Sequence, residues 1–180
     1  MYTRILKEKD VALYTQLRLK SYQTNPLSFS ESYEDEIEKT EDDFITELKT
    51  IGEPPECFVL GMFTELEELI GFVKFRRDLR LKARHKAMIH AMYIDPDFRN
   101  KGWGEKLMTA LLEKAEKLSG LEQIHLWVLH AEDSTSAANF YRECGFESQG
   151  TRVKNDLKIN GQYVDAEYMV MLLHIKKIIG

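Results

Sequence analysis

The sequence has little cysteine, no long apolar run and no excess of basic charge, and each shortage closes a class of function. Cys57 and Cys144, the two cysteines, stand far apart with no Cys-x-x-Cys pair and no Cys/His ligand spacing. A disulfide framework or a zinc site needs thiols placed more closely, so both read as core thiols and no metal is expected. No stretch approaches the roughly 20 apolar residues that span a bilayer, and Met1-Tyr2-Thr3-Arg4 lacks the charged-then-apolar layout of a signal peptide. The expectation is a cytoplasmic protein with no membrane partner. A formal net charge of -5 runs against a nucleic-acid partner, which needs a basic face to displace counterions. Repeats and low-complexity segments are also missing. What is left, 43% hydrophobic and 31% charged residues in 180, suits one soluble domain able to bury a core.

Along the chain, residues 2–6 read as a strand, and Asp10 offers an N-cap to a helix carrying Leu13, Leu17 and Leu19 to about Ser21. Pro26 stops it. Residues 34–48 read as a second helical region, with the acidic run Glu34, Asp35, Glu36 and Glu38 as its solvated face. After the Gly-Glu-Pro-Pro turn at 52–55, two runs, 57–63 and 69–75, read as a β-hairpin, and residues 87–94 as a third strand. Leu107, Met108, Leu111, Leu112, Ala115 and Leu118 share one face of a helix over 102–118 that Gly120 ends. Residues 124–129 form a short apolar strand, the sort buried on both faces. A helix over 134–144 and a long final strand over 163–173 follow. This order implies a mixed, mostly antiparallel α/β sheet with helices on both faces.

One junction carries chemistry. Ile94-Asp95-Pro96-Asp97-Phe98-Arg99-Asn100-Lys101-Gly102-Trp103-Gly104 joins a strand directly to an amphipathic helix. Its two glycines let backbone approach a ligand, and the N–H groups and dipole of the first helical turn face an anion. A bulky residue at Gly102 is expected to fill the space a pyrophosphate would take. Neither the nucleotide-triphosphate loop nor the dinucleotide fingerprint fits, since Glu105-Lys106-Leu107 follows Gly104.

Arg99 to Gly104 resembles the Arg/Gln-x-x-Gly-x-Gly/Ala signature of the GNAT superfamily of N-acetyltransferases, again preceded by a strand and an Asp-Pro turn. Ala137 to Phe146, with Tyr141-x-x-x-Gly145-Phe146, is similar to that family's later helix. The resemblance implies the GNAT-like acyltransferase fold in a single domain. Residues 1–86 would be its acceptor side, 87–146 its acetyl-CoA-binding core and 147–174 its C-terminal strands.

The resemblance further implies transfer of an acetyl group from acetyl-CoA, as co-substrate, to a primary amine. Met92, Tyr93 and Ile94 would bind pantetheine through backbone groups, and Arg99, Asn100, Lys101, Gly102, Trp103 and Gly104 would cradle the pyrophosphate. Asn139 would face the carrier chain. Ser134 stands where relatives have an Asn that contacts CoA. Tyr141 matches the acid that protonates the departing thiolate, a task its pKa near 10 suits. A base is wanted because an alkylamine is mostly protonated at neutral pH.

His90 is the first candidate base, on the same face as Met92 if the strand alternates regularly, and Glu31 is the second. In that family the first loops and the final strands shape the acceptor site, which here would be residues 24–33 and 152–162. The basic cluster 76–86 reads as a solvated loop, with an anionic substrate or the 3′-phosphate of CoA as its functional alternatives. A small-molecule amine is the first reading of the acceptor. A protein N-terminus or lysine, or a CoA-binding module without catalysis, are the alternatives, and a homodimer is left open.

Overall fold

The structure, a computed structural model, describes residues 1–130, 135–159 and 161–173. Strands β1 (Tyr2–Ile5), β2 (Cys57–Phe63), β3 (Leu69–Arg77), β4 (Lys86–Ile94), β5 (Gln123–His130), β6 (Glu147–Ile159) and β7 (Gln162–Leu172) form one sheet in the order β1-β2-β3-β4-β5-β7-β6. All neighbours are antiparallel except β4 and β5. Helices α1 (Val11–Thr24), α2 (Tyr33–Ile37) and α3 (Glu41–Leu48) pack on one face, and α4 (Trp103–Ala115) and α5 (Thr135–Glu143) on the other. The mixed, mostly antiparallel sheet read from the sequence is the one observed. β2 is buried along its whole length, which accounts for its unbroken apolar run.

The long acidic segment is two helices, not one. Ser32 and Thr40 each accept from the backbone three residues on, and Asp35 and Asp43 reach back to close two capping boxes. Nor is the acidic run wholly solvated. Glu36 is fully buried, with Arg18 Nε 3.0 Å from Oε1 and Lys39 Nζ 2.8 Å from Oε2. The Arg18 guanidinium also lies over the rings of Tyr22 and Phe29. Asp10, read as an N-cap, instead binds Arg4 and the backbone of Lys7.

Removing one member of a buried ion pair leaves the other charge without compensation. Glu36→Ala should therefore cost about 3–5 kcal/mol in urea unfolding. A loss below about 1 kcal/mol, the range of exposed pairs, would mean that water replaces the carboxylate around Arg18.

Two features of β4 shape the site. Its parallel pairing with β5 covers Lys86↔Gln123, Ala87↔Ile124 and Met88↔His125, and beyond these the strands diverge. Against β3, Lys74 pairs with Ala91 but Phe75 with Ile89, so His90 is the extra residue of a β-bulge. The bulge inverts the alternation. Ala87 and Ile89 before it, and Met92 and Ile94 after it, join the core under α4, whereas Ala91 and Tyr93 join the core under α1–α3. His90 thus shares a face with Lys86 and Met88, opposite Met92. The expected common face of His90 and Met92 fails because one added residue shifts a period of two by half.

Candidate active site

Asp95 N–H donates to Ile70 O on β3. By alternation, Tyr93 also turns its backbone to β3, and Met92 and Ile94 turn theirs into the space β5 has left. The gap is a short length of open sheet edge inside the molecule. One cleft along it, of about 310 Å³, is lined by Asn25, Met92, Arg99, Gly104, Phe140 and Tyr141 among others. A second, deeper in the divergence, is lined by His90, Met92, Leu126, Trp127 and Tyr141 among others.

At the mouth of the gap the chain turns into α4. Asn100 and Gly102 have φ of 58° and 75°, the left-handed region where glycine carries no Cβ penalty. The first bond of the helix end, from Lys106 N–H to Gly102 O at 3.1 Å, leaves the N–H groups of Trp103, Gly104 and Glu105 without backbone partners among the described residues. They and the helix dipole make an anion seat.

The two glycines have different jobs. A Cβ on Gly102 would meet only Glu105 Oε2 at 3.7 Å, so this residue serves the positive φ rather than space. A Cβ on Gly104 would stand 3.4 Å from Phe140 Cε2 and 3.9 Å from Met92 Cε, at the cleft wall. The tight space at this junction therefore lies beside Gly104, whereas at Gly102 a side chain would meet open room and a strained φ.

The surrounding loop is held by α1. Arg99 Nε donates to Ile94 O at 2.8 Å and Nη2 to Asn25 Oδ1 at 2.6 Å, Lys20 Nζ binds Asp95 Oδ2 at 2.5 Å, and Thr24 Oγ1 lies 2.8 Å from the Tyr93 hydroxyl. Two of the donors of Arg99 are thus committed to the shape of the loop. Sequence reading missed Asn25, Lys20 and Thr24, since nothing local marks contacts some 70 residues apart. Of the remaining cradle residues, Asn100 lines the cleft. Lys101 is exposed and donates to Asp97 O, and Trp103 packs against the core with Lys106 Nζ 4.5 Å from its ring centroid.

On α5 the cleft-facing residues are Ser136, Ala137, Phe140 and Tyr141. Asn139, expected there, is exposed and accepts from Arg142. It lies one residue off the stripe. Ser134 falls outside the described residues. The Tyr141 ring meets Phe140 and Phe146 edge-on at 5.3 and 5.8 Å between centroids. Burial pushes its phenol well above the usual range, so the proton stays on. Burial also pushes the Cys144 thiol up to about 11, which keeps it from acting as a nucleophile at neutral pH.

The two candidate bases stand in the same quarter on the α1–α3 side. Partial burial, then the cations Lys74 and Arg76, hold His90 below its ordinary 6.5, leaving a neutral imidazole with a free lone pair at pH 7. Glu31 is exposed and accepts from Ser30 Oγ at 3.0 Å and Tyr22 Oη at 3.4 Å. Burial alone would raise it, but its own backbone N–H, Ser30 and the charge of Arg18 outweigh that and hold it below the usual carboxylate range. The first loop and the final strands expected to shape an acceptor site line one cavity of about 260 Å³, where Ser28, Phe29 and Ser30 meet Asp156 and Leu157 of β6 together with His90 and Trp127. Among the described residues no group of three His, Cys, Asp or Glu is placed to hold a metal, and no helix is long and apolar enough to cross a membrane.

Residues 18–146 match the sequence model of the acetyltransferase (GNAT) family. Over 102 residues the chain is 36% identical to an L-amino acid N-acetyltransferase of Escherichia coli (strain K12), covering 57% of this chain and 60% of that protein. Over 106 residues it is 29% identical to a spermidine N(1)-acetyltransferase of Vibrio cholerae serotype O1, covering 59% and 58%. The chain spans about three fifths of the length of these curated relatives. In three dimensions it resembles a GNAT-superfamily phosphinothricin acetyltransferase of Sinorhizobium meliloti, solved in complex with AcCoA. The TM-score is 0.79 at 21% identity, over 96% of this chain and 88% of that one, a likeness of fold.

Proposed function

The chain belongs to the acetyltransferase (GNAT) family, and from that premise we propose that it transfers the acetyl group of acetyl-CoA directly to a primary amine of a small molecule. The observation that carries the reading is the divergence of β4 from β5 after Met88 and His125, with Tyr141 inside the gap and the bare N–H groups of α4 at its mouth. The backbone of Met92 and Ile94 would take the amides of the carrier arm as a strand takes its neighbour. The N–H groups of Trp103 to Glu105 would hold the pyrophosphate, with Gly104 leaving room beside Phe140 and Met92. The Tyr141 phenol would stabilise the departing thiolate and hand it a proton. Desolvation raises the pKa of phenol and thiolate alike, so the pair stays matched in the gap.

His90 is proposed as the base that takes the amine proton, directly or through one water. An assay of free CoA release over a panel of amines tests the whole reading. Turnover of a small amine supports it, turnover of peptide amines alone moves the acceptor to a protein, and no release with any amine leaves a module without catalysis. The pH profile tests His90. The free fraction of an alkylamine rises with pH up to about 10.4, giving log kcat/KM a slope of one. His90 is a base only when deprotonated, so the slope should steepen to two below its pKa, which lies under 6.5. His90→Gln should keep a slope of one throughout and lose roughly a hundredfold in kcat/KM. A break that survives the substitution would move the base elsewhere.

A further inference from the structure

The face of the sheet opposite α4 and α5 is covered by α1–α3 over β2, β3 and the upper part of β4, and the covering stops there. Lys86, Met88 and His90 follow one another along the uncovered face of β4, because Ala87 and Ile89 turn to the core under α4. His125 and Trp127 do the same on β5, where Ile124, Leu126 and Val128 are the core residues. On β7, Tyr168 completes a floor of rings, with its centroid 4.7 Å from Trp127 and its hydroxyl bonded to His125 Nδ1. Trp127 is 46% exposed, an aromatic with no partner on its open side among the described residues. This trough comprises the cavity of about 260 Å³ beside Asp156 and an adjoining one of about 430 Å³, which share Met88 and His90.

The trough has a definite electrical sense. At its His90 end the cavity carries the carboxylate of Asp156, with Glu31 on the adjoining loop surface. At its other end it is lined by Arg76, Arg77, Arg80 and Lys86 against the single carboxylate of Asp78. Arg80 is paired with Asp78, and Arg77 with Glu56. Arg76 donates only to the carbonyls of Glu47 and Lys49, and Lys86 has no ion-pair partner among the described residues. Lys86 feels only the Asp78 carboxylate that Arg80 already engages, so cations outnumber carboxylates at this end in a chain of net charge -5. The basic cluster cannot serve the 3′-phosphate of CoA, since it lies at the Lys86 end of β4 and the pyrophosphate seat lies past Ile94 at the other.

Resting on the transferase reading above, we propose that the acceptor is an amine that also carries an anionic group, a carboxylate or a phosphate, bound between Arg76 and Lys86 with its body along Trp127 and Tyr168. Lys86 is four residues from His90, so amine and anion stand roughly 10–13 Å apart along the strand. A free α-amino acid is too short to reach both ends, and a polyamine would bring cations to cations.

The test compares straight-chain ω-amino acids of rising length and ω-aminoalkyl phosphates with the alkylamines that lack the anion. For the long members kcat/KM should exceed that of the alkylamine about tenfold or more, as one partly desolvated charge-assisted contact supplies. The advantage should fade in the shortest members and with added salt, and the better of carboxylate and phosphate names the anion. Lys86→Met and Arg76→Met should each bring the ratio of anionic to plain amine toward one. Equal turnover of the two classes, or a preference untouched by both substitutions, overturns the inference while leaving the transferase reading standing. If no amine releases CoA, that reading fails first. The anion preference must then still appear when the same pairs are bound in a calorimeter with CoA present, and its absence there overturns the inference.

Discussion

Tyr141→Phe should lower kcat by roughly a hundredfold or more, with acetyl-CoA affinity and fold stability almost unchanged. The substitution removes one oxygen and keeps the ring, and it is the ring that touches Phe140 and Phe146. Among the described residues no group accepts from or donates to the Tyr141 hydroxyl, so its loss leaves no partner stranded there. The phenol would act on charge that develops only as the thioester breaks, so the deficit belongs in kcat. Steady-state kinetics with urea unfolding on the one variant decides the point. Near-normal kcat with a fold weakened by about 1 kcal/mol would make Tyr141 a packing residue.

The second large effect is expected at Gly104. Acetyl-CoA at a hundredfold excess over its dissociation constant should stabilise the folded chain by about 2.7 kcal/mol and raise its melting temperature accordingly. In Gly104→Val that rise should vanish. The added Cβ already sits 3.4 Å from Phe140, and the two methyls beyond it would enter the carrier's space. The helix itself gains slightly from losing a glycine, so the variant should fold. Gly104→Ala should retain most of the shift. A full shift in the valine variant would place the carrier elsewhere. The same substitution at Gly102 would be harder to interpret, because a side chain at φ of 75° strains the turn by about 1–2 kcal/mol whatever the ligand does.

Much of this was legible in the sequence, and the boundary of legibility is physical. The β2–β3 hairpin, α4 and the turn at Gly102 could be read because each rests on local periodicity or on a local backbone demand. The first loop and the final strands, read as neighbours, do line one cavity at Ser28 and Asp156. Four readings needed information the local pattern lacks. A bulge at His90 leaves its own residues unremarkable and shows only in the register against β3. Glu36 resembles its exposed neighbours, and only the partner on α1 makes it a buried charge. Asn139 and Phe140 are adjacent, and which faces the cleft depends on the helix's rotation. The strand 124–129 looked buried on both faces, yet Trp127 opens onto the trough because no helix among the described residues covers that half of the sheet.

The brevity of the contact between β4 and β5 has a consequence for how the molecule comes apart. β5 is joined to β7 through the whole run from Gln123 to His130, but to β4 through three residue pairs only. The sheet is therefore two ladders of unequal tenure sharing a short hem. Hydrogen exchange is expected to show the amides of β5–β7 opening as a unit while β1–β4 keep theirs, and a single common opening would show that the shared core under α4 outweighs the short hem. A ligand lying across the gap would belong to both ladders at once. Its binding energy would then be felt as cooperativity, two opening units merging into one, besides the added stability of either.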